Sequence, residues 1–372
     1  MEKDKIKVGI TQGDLNGVGY EVIFKTFANP MMMDLCTPIV YGSPKAAAYH
    51  SKAMDLETQF TIINEPEQAS HSKLNLISCY DEEVKIEFGQ PSPESGATAL
   101  KSLEKALADY SEGKIDVLVT APINKKTIQS DDFHFPGHTE YIEAKVGEGN
   151  KALMMLMTAD NAEGIQPLRV ALVTTHKPIR EVAEAITPEA IKEKVYILNA
   201  SLKRDFMISG PRIAILALNP HAGDDGLIGK EEQEVIIPTI EALNKEGIGC
   251  FGPYPADGFF GSGAYTHFDA TLAMYHDQGL AAFKALSMTQ GINYTAGLPI
   301  VRTSPDHGTA YDLAGKGIAD ETSMRQAVYA AIDIYRNRQR YDEAHANPLR
   351  KLYKEHRDDS DKLKLDAPTD ED

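Results

Sequence analysis

Three histidines stand at the ends of apolar runs of the kind that form buried strands: Arg169-Val-Ala-Leu-Val-Thr-Thr-His176, Arg212-Ile-Ala-Ile-Leu-Ala-Leu-Asn-Pro-His221 and Ala270-Thr-Leu-Ala-Met-Tyr-His276. A neutral imidazole offers one unprotonated ring nitrogen and is the commonest metal ligand. Three such nitrogens with an open fourth position describe a catalytic metal site rather than a structural one, with zinc as the default ion. One histidine after a strand is usually a loop or hydrogen-bonded core residue. Three that repeat the pattern point instead to a shared role. His176 and His221 are 45 residues apart, and His221 and His276 are 55 apart. Only a fold that gathers the carboxyl ends of strands brings them together.

A second group of residues suits an anion. Phe135-Pro-Gly-His-Thr-Glu-Tyr141 opens a helical pattern with His138 and Thr139 near its start. A helix N-terminus favours a phosphate or carboxylate there; the alternative is a capping Thr139 beside a surface histidine. Lys284 lies on a helical run, Gln278 to Leu286, and Asn293 and Arg302 are expected in short loops after it. In an acidic chain Lys284 and Arg302 can form a local clamp for an anion, or else a solvated pair. Asp277, Asp257 and Lys284 are the candidates for a general base. Thr120-Ala-Pro-Ile-Asn-Lys125 is a further loop of high polar density.

The elements that must position these residues alternate in type. Lys7–Thr11, Pro38–Tyr41, Phe60–Ile63, Leu74–Cys79 and Ile115–Thr120 read as strands, with helices at Tyr20–Phe27 and Ser95–Ser111 between them. Helices at Pro188–Arg204 and Lys230–Asn244 separate the histidine-ended strands, and Ser323–Gln339 forms a last amphipathic helix. Such alternation indicates an α/β fold with a mainly parallel sheet. The turn Gln12-Gly-Asp-Leu-Asn-Gly-Val-Gly19 has Val22 where a dinucleotide fingerprint needs its third glycine, so it reads at least as well as a tight structural turn.

With 372 residues the chain is too long for one ordinary core. Its 38 basic and 55 acidic residues give a net charge of −17, which argues against nucleic acid or anionic membrane as the main partner. Cys36, Cys79 and Cys250 form no CxxC pair and indicate neither disulfides nor a thiolate zinc site. No signal-peptide pattern and no apolar run of membrane-spanning length occurs, so a cytoplasmic location is expected.

Taken together, these residues resemble the 4-hydroxythreonine-4-phosphate dehydrogenase family of vitamin B6 biosynthesis, from the start of the chain to about residue 335. The motifs are Gly9-Ile-Thr-Gln-Gly-Asp14, Val119-Thr-Ala-Pro-Ile-Asn-Lys125, Pro136-Gly-His-Thr-Glu140, Leu218-Asn-Pro-His-Ala-Gly223, Gly252-Pro-Tyr-Pro-Ala-Asp257, Tyr275-His-Asp-Gln-Gly279 and Gly297-Leu-Pro-Ile-Val-Arg302. The resemblance implies one divalent metal ion (zinc, with magnesium or cobalt as alternatives) held by His176, His221 and His276 and shared between the partners of a homodimer. It implies substrate contacts from His138, Thr139, Lys284, Asn293 and Arg302. The implied fold is that of the isocitrate and isopropylmalate dehydrogenases, two α/β/α domains around a cleft. Residues 1–130 with 290–345 then form one domain, 131–289 the second, and 346–372 an acidic tail. His307-Gly-Thr-Ala-Tyr-Asp-Leu-Ala-Gly315 resembles the adenosine-binding loop of isopropylmalate dehydrogenases. It assigns His307, Gly308 and Asp312 to NAD, with the Asp312 carboxylate accepting from a ribose 2′-hydroxyl and repelling a 2′-phosphate.

The implied reaction is NAD-dependent oxidation of 4-phosphooxy-L-threonine at C3, followed by decarboxylation of the β-keto acid. Gln12, Leu15-Asn16, Tyr20 and Gly258 depart from the common pattern. They leave open a sister enzyme acting on 4-phosphorylated D-threonate or D-erythronate. Phosphate acyltransferases are the rival from another class.

Overall fold

Alternation of side chains between two faces is visible from the first strand. Val8 and Ile10 enter one core, while Gly9 on the opposite face leaves room for Tyr41 and Ile115. The computed structural model describes residues 5–347 apart from 57, 132, 159–166 and 288. Most of the expected tail, 348–372, lies outside the described residues. The strands are β1 Lys7–Thr11, β2 Thr37–Gly42, β3 Phe60–Ile63, β4 Leu74–Ser78, β5 Val117–Thr120, β6 Leu153–Thr158, β7 Arg169–Leu172, β8 Arg212–Leu216, β9 Gly249–Tyr254, β10 Ala270–Ala273, β11 Gly291–Ala296 and β12 Arg302–Pro305. The helices are α1 Gly19–Phe27, α2 Met32–Leu35, α3 Pro44–Ala53, α4 Pro93–Ser111, α5 His138–Val146, α6 Val182–Ala185, α7 Pro188–Arg204, α8 Ile237–Lys245, α9 Ala256–Gly261, α10 His276–Ser287 and α11 Thr322–His345. Three of them begin on one device, a Ser or Thr whose hydroxyl accepts from a backbone amide three residues on, followed by proline: Ser43-Pro44, Ser92-Pro93 and Thr187-Pro188.

The strands form one sheet of twelve in the order β3-β4-β2-β1-β5-β12-β11-β6-β7-β10-β8-β9. From β3 to β12 all neighbours are parallel, as they are from β7 to β9. The two parallel stretches are joined through β11 and β6, whose pairings are antiparallel. One core runs under the whole sheet and takes Val8, Val40, Val119, Ile292, Tyr294, Met155, Leu272 and Ile215. The opposite face carries two separate cores, one around Ile39, Tyr41, Leu118 and Leu103, the other around Leu156, Val170, Leu216 and Phe283. Alternation along β11 therefore sends Asn293 and Thr295 to the face where those two cores part.

Asn293 and Arg302 lie on strands β11 and β12 and not in the short loops expected. The segment Gly291-Ile-Asn-Tyr-Thr-Ala296 alternates Ile292, Tyr294 and Ala296 inward, and its pairing with β12 sets Thr295 opposite Arg302. His276 is likewise the first residue of α10, three residues past the strand end at Ala273. A buried clasp fixes β11 from behind. Arg338 Nε donates to Asp205 Oδ1 at 2.7 Å, Tyr294 Oη donates to Asp205 Oδ2 at 2.6 Å, and Arg338 also donates to Tyr294 Oη at 3.0 Å. It ties β11 and α11 to the residue that caps α7.

Candidate active site

Arg302 is 3% exposed and points to the face where the two smaller cores part. Its Nε and Nη2 donate to Thr120 Oγ1 at 3.1 and 2.5 Å, and its Nη1 donates to Thr295 Oγ1 at 3.1 Å. Nη2 also reaches His138 Nδ1 at 3.2 Å, which leaves the Nε2–H of His138 as a donor. Burial, then the neighbouring Arg302 and Lys125 charges, hold His138 well below the usual histidine range and so neutral. Burial lowers Arg302 itself to about 10, so the guanidinium stays charged at neutral pH. His138 and Thr139 open α5, and the preceding Gly137 makes no side-chain cap, so the first amides of the helix remain free of one. Asn293 has a buried Oδ1 without a hydrogen-bond partner among the described residues. Thr120, Thr295, Arg302 and His138 thus make a preformed polar seat with a fixed positive charge, suited to a phosphate or carboxylate, with Asn293 two residues from Thr295 on the same face of β11.

The histidines are arranged differently. The rings of His176 and His276 lie 6.1 Å apart, centroid to centroid. His276 Nδ1 is 2.7 Å from Asp277 Oδ1, and His176 Nδ1 is 3.9 Å from Glu140 Oε1. A carboxylate beside Nδ1 favours the tautomer whose Nε2 lone pair is free, the arrangement found behind histidine metal ligands. Burial and the Lys125 charge lower His176, which also favours the neutral ligand form. The donor chemistry of these two residues therefore fits a divalent ion. His221 is exposed, and among the described residues no three His, Cys, Asp or Glu side chains are gathered to hold a metal. His221 begins a run of six residues with positive φ, His221 to Gly226, four of them not glycine. That run is held at its entry by Glu232, 1% exposed, which accepts from the Leu218 and Asn219 amides at 2.8 Å each and from Asn219 Nδ2 at 2.9 Å. Gly223 is required there, since a Cβ would stand 2.7 Å from Glu232 Oε2.

A cavity of about 270 Å³ lies beside the proposed nucleotide loop. Its walls include Lys284, Asp306, His307, Leu313 and Asp320. Lys284 Nζ donates to the Asp306 carbonyl at 3.2 Å and is 3.4 Å from its Oδ1. Gly308 and Asp312 are exposed and are not among the lining residues; the acidic groups on the wall are Asp306, engaged by Lys284, and Asp320. Of the three candidate bases, Asp277 is engaged by His276, Asp257 is exposed on α9, and Lys284 alone lines this cavity.

The glycine-rich turn proves structural. Every residue from Thr11 to Tyr20 is buried, Gly17 packs on Thr309, and the Val18 amide donates to the Thr309 carbonyl at 3.0 Å. It supports the 307–315 loop. Two of the departures from the common pattern answer one another here, because Tyr20 Oη donates to Gln12 Oε1 at 2.9 Å. A third, Asn16, binds the Gln90 carbonyl and the Glu87 amide at 2.7 and 2.8 Å.

Several contributors escaped the sequence reading. Asp14 accepts from Ser95 Oγ at 2.5 Å and from Tyr311 Oη at 2.8 Å, and Tyr311 Oη accepts from Asn124 Nδ2 at 3.0 Å. Glu140, Glu232 and Lys125 were equally unassigned. Their signal was present only as polar residues inside motif-like loops, which does not say what each touches.

The family model described as pyridoxal phosphate biosynthetic protein PdxA matches residues 34–331. The chain is 63% identical over 367 residues to a Bacteroides thetaiotaomicron protein named 4-hydroxythreonine-4-phosphate dehydrogenase, with 99% of each chain covered. It is 37% identical over 331 residues to a Cupriavidus necator protein named D-threonate 4-phosphate dehydrogenase, with 88% of this chain and 96% of that one covered. The crystal structure of a 4-hydroxythreonine-4-phosphate dehydrogenase from Burkholderia phymatum superposes with a TM-score of 0.71 at 35% identity, covering 89% of this chain and 99% of the other.

Proposed function

Because this chain belongs to the PdxA family of pyridoxal phosphate biosynthetic proteins, we propose that it is an NAD-dependent 4-hydroxythreonine-4-phosphate dehydrogenase. The reaction is oxidation of 4-phosphooxy-L-threonine at C3, with loss of carbon dioxide from the resulting 2-amino-3-oxo-4-phosphooxybutanoate to leave 3-amino-2-oxopropyl phosphate. The observation that carries this reading is the 63% identity over 99% of both chains. A relative at 37% bears the D-threonate name, so the sister substrate is the second reading.

Arg302, His138, Thr139 and Asn293 form the anion seat, and Lys284 supplies a further cation from the cavity wall. His138 Nε2–H donates to a substrate oxygen while Arg302 holds its Nδ1. His176 and His276 are two ligands of a divalent ion, zinc by donor type, and His221 completes the set across a homodimer interface. When bound, the ion supplies Lewis-acid polarisation of the C3 oxygen and stabilises the enolate left by decarboxylation. His307, Gly308 and Asp312 of the 307–315 loop would hold NAD, which would supply the hydride acceptor. The C3 hydroxyl proton passes to a base drawn from Asp277, Asp257 and Lys284. Residues 1–130 with 290–345, and 131–289, are assigned to the two lobes around the site.

The test follows absorbance at the reduced-nicotinamide band with purified protein, NAD and, in separate runs, 4-phosphooxy-L-threonine and 4-phospho-D-threonate. Turnover is expected on the first and lost on chelation. No turnover on the first with turnover on the second would transfer the assignment to the sister reaction.

A further inference from the structure

The seat around Arg302 has fewer donors to offer than its charge implies. A guanidinium carries five N–H groups, and four of them already serve Thr120, Thr295 and His138. Arg302 therefore acts largely as a buried fixed charge. A phosphate monoester presents three terminal oxygens, each able to accept more than one hydrogen bond.

Lys125 has donors to spare. It is exposed on the loop after β5, and among the described residues no carboxylate lies within ion-pair distance of it. Its Nζ contacts His176 Nε2 at 3.1 Å. Its stem runs beside the first turn of α5, where the place a Cβ would take on Gly137 is 3.6 Å from Lys125 Cε. The ammonium thus sits between the His138–Thr139 helix start and the imidazole pair. Its partner nitrogen is the lone pair a metal ion would take, and an ammonium and a divalent ion cannot share it.

We propose that Lys125 is a substrate-contacting residue whose ammonium rests on His176 Nε2 in the metal-free chain and passes to the substrate's anionic group when that nitrogen is taken by an ion. This rests on the dehydrogenase reading above. It also implies an order: metal occupancy first, then tight anion binding. Lys125 opposes the ion and favours the anion, so removing it moves the two affinities in opposite directions.

The experiment uses the full-length protein and its Lys125→Met and Lys125→Arg variants. Titration calorimetry measures zinc binding to the substrate-free protein and inorganic phosphate binding to the zinc-loaded protein, and steady-state assays give KM and kcat. Lys125→Met is expected to weaken phosphate binding and raise KM by about tenfold to a hundredfold, the size of one charge-assisted hydrogen bond, with a smaller change in kcat. Zinc affinity is expected at or above that of the wild type, and Lys125→Arg regains part of the phosphate affinity. Phosphate affinity equal to wild type in Lys125→Met, or zinc affinity below it, overturns the proposal. A wild type that binds zinc and phosphate as described but oxidises no phosphate ester refutes the assigned reaction while leaving the role of Lys125 standing.

Discussion

Arg302 and His176 belong to one candidate site yet sit at opposite extremes of preparation. Arg302 is 3% exposed and pinned by threonines from two different strands, whereas the His176 side chain is 38% exposed and has a single lysine against its free nitrogen. A buried guanidinium persists only where hydrogen bonds surround it, and those of Arg302 are all made within the single chain. Half-exposed imidazoles incur little cost without a ligand, so their site can wait for components from elsewhere. The contrast separates residues whose loss disturbs the fold from residues whose loss disturbs chemistry alone.

The largest effect tests the exposed side of that contrast. His276→Ala is expected to abolish retained metal and to lower kcat by at least about a thousandfold with little change in thermal stability. Metal content by elemental analysis alongside a melting curve checks this; a large drop in Tm would erase the distinction.

On the buried side, Asp205→Ala strands Arg338 and Tyr294 without their acceptor. A loss of about 3–5 kcal/mol in denaturant unfolding is expected, while the surviving folded protein keeps its metal affinity.

Acid provides a graded version. His50 is buried against the rings of Tyr20 and Phe88, and burial lowers it to about 4 from an ordinary 6.5. The unfolded chain therefore takes up a proton near pH 6.5 that the folded chain refuses until about pH 4. This contribution to stability is intact above pH 6.5, declines by about 3 kcal/mol as pH falls to about 4, and then levels. His50→Phe should flatten that part of the curve; an unchanged slope would place the acid sensitivity elsewhere.

Glu232→Gln bridges the two regions, since a buried group there holds an exposed histidine's turn. The amide keeps an oxygen for the Leu218 and Asn219 amides but turns a donor toward Asn219 Nδ2. Zinc affinity is expected to fall about tenfold for a stability loss of about 1 kcal/mol. The smallest effect concerns the cofactor. Asp312→Asn is expected to narrow the preference for NAD over NADP in kcat/KM by about tenfold or less; the same narrowing from Asp320→Asn alone would move the discriminating carboxylate to the cavity wall.

Most strands were legible because a buried β-strand imposes a period of two or a short apolar run, and both survive in the order of residues. Lys7–Thr11 and Phe60–Ile63 coincide with β1 and β3. The segment Leu-Met-Met-Leu-Met-Thr of β6 was not recognised, since a uniformly apolar run fits a buried helix as well as a strand. Asn293 and Arg302 read as loop residues because, on β11 and β12, they face a site instead of solvent. Arg302 and His138 were legible as candidates through their motifs, but the threonines that fix Arg302 were not, since Thr120 and Thr295 are ordinary strand residues until the sheet order sets them beside it.

The amino-acid order by itself determined the α/β class and the chemistry available at His138, His176, His276 and Arg302, because these follow from local periodicity and functional groups. Only the tertiary structure decided which groups meet: that Arg302 spends its donors inside the protein, that Lys125 rests on His176, and that the three histidines form no common cluster among the described residues. Those facts depend on strand order and on the path of loops between strands, which long-range packing selects and no local pattern encodes.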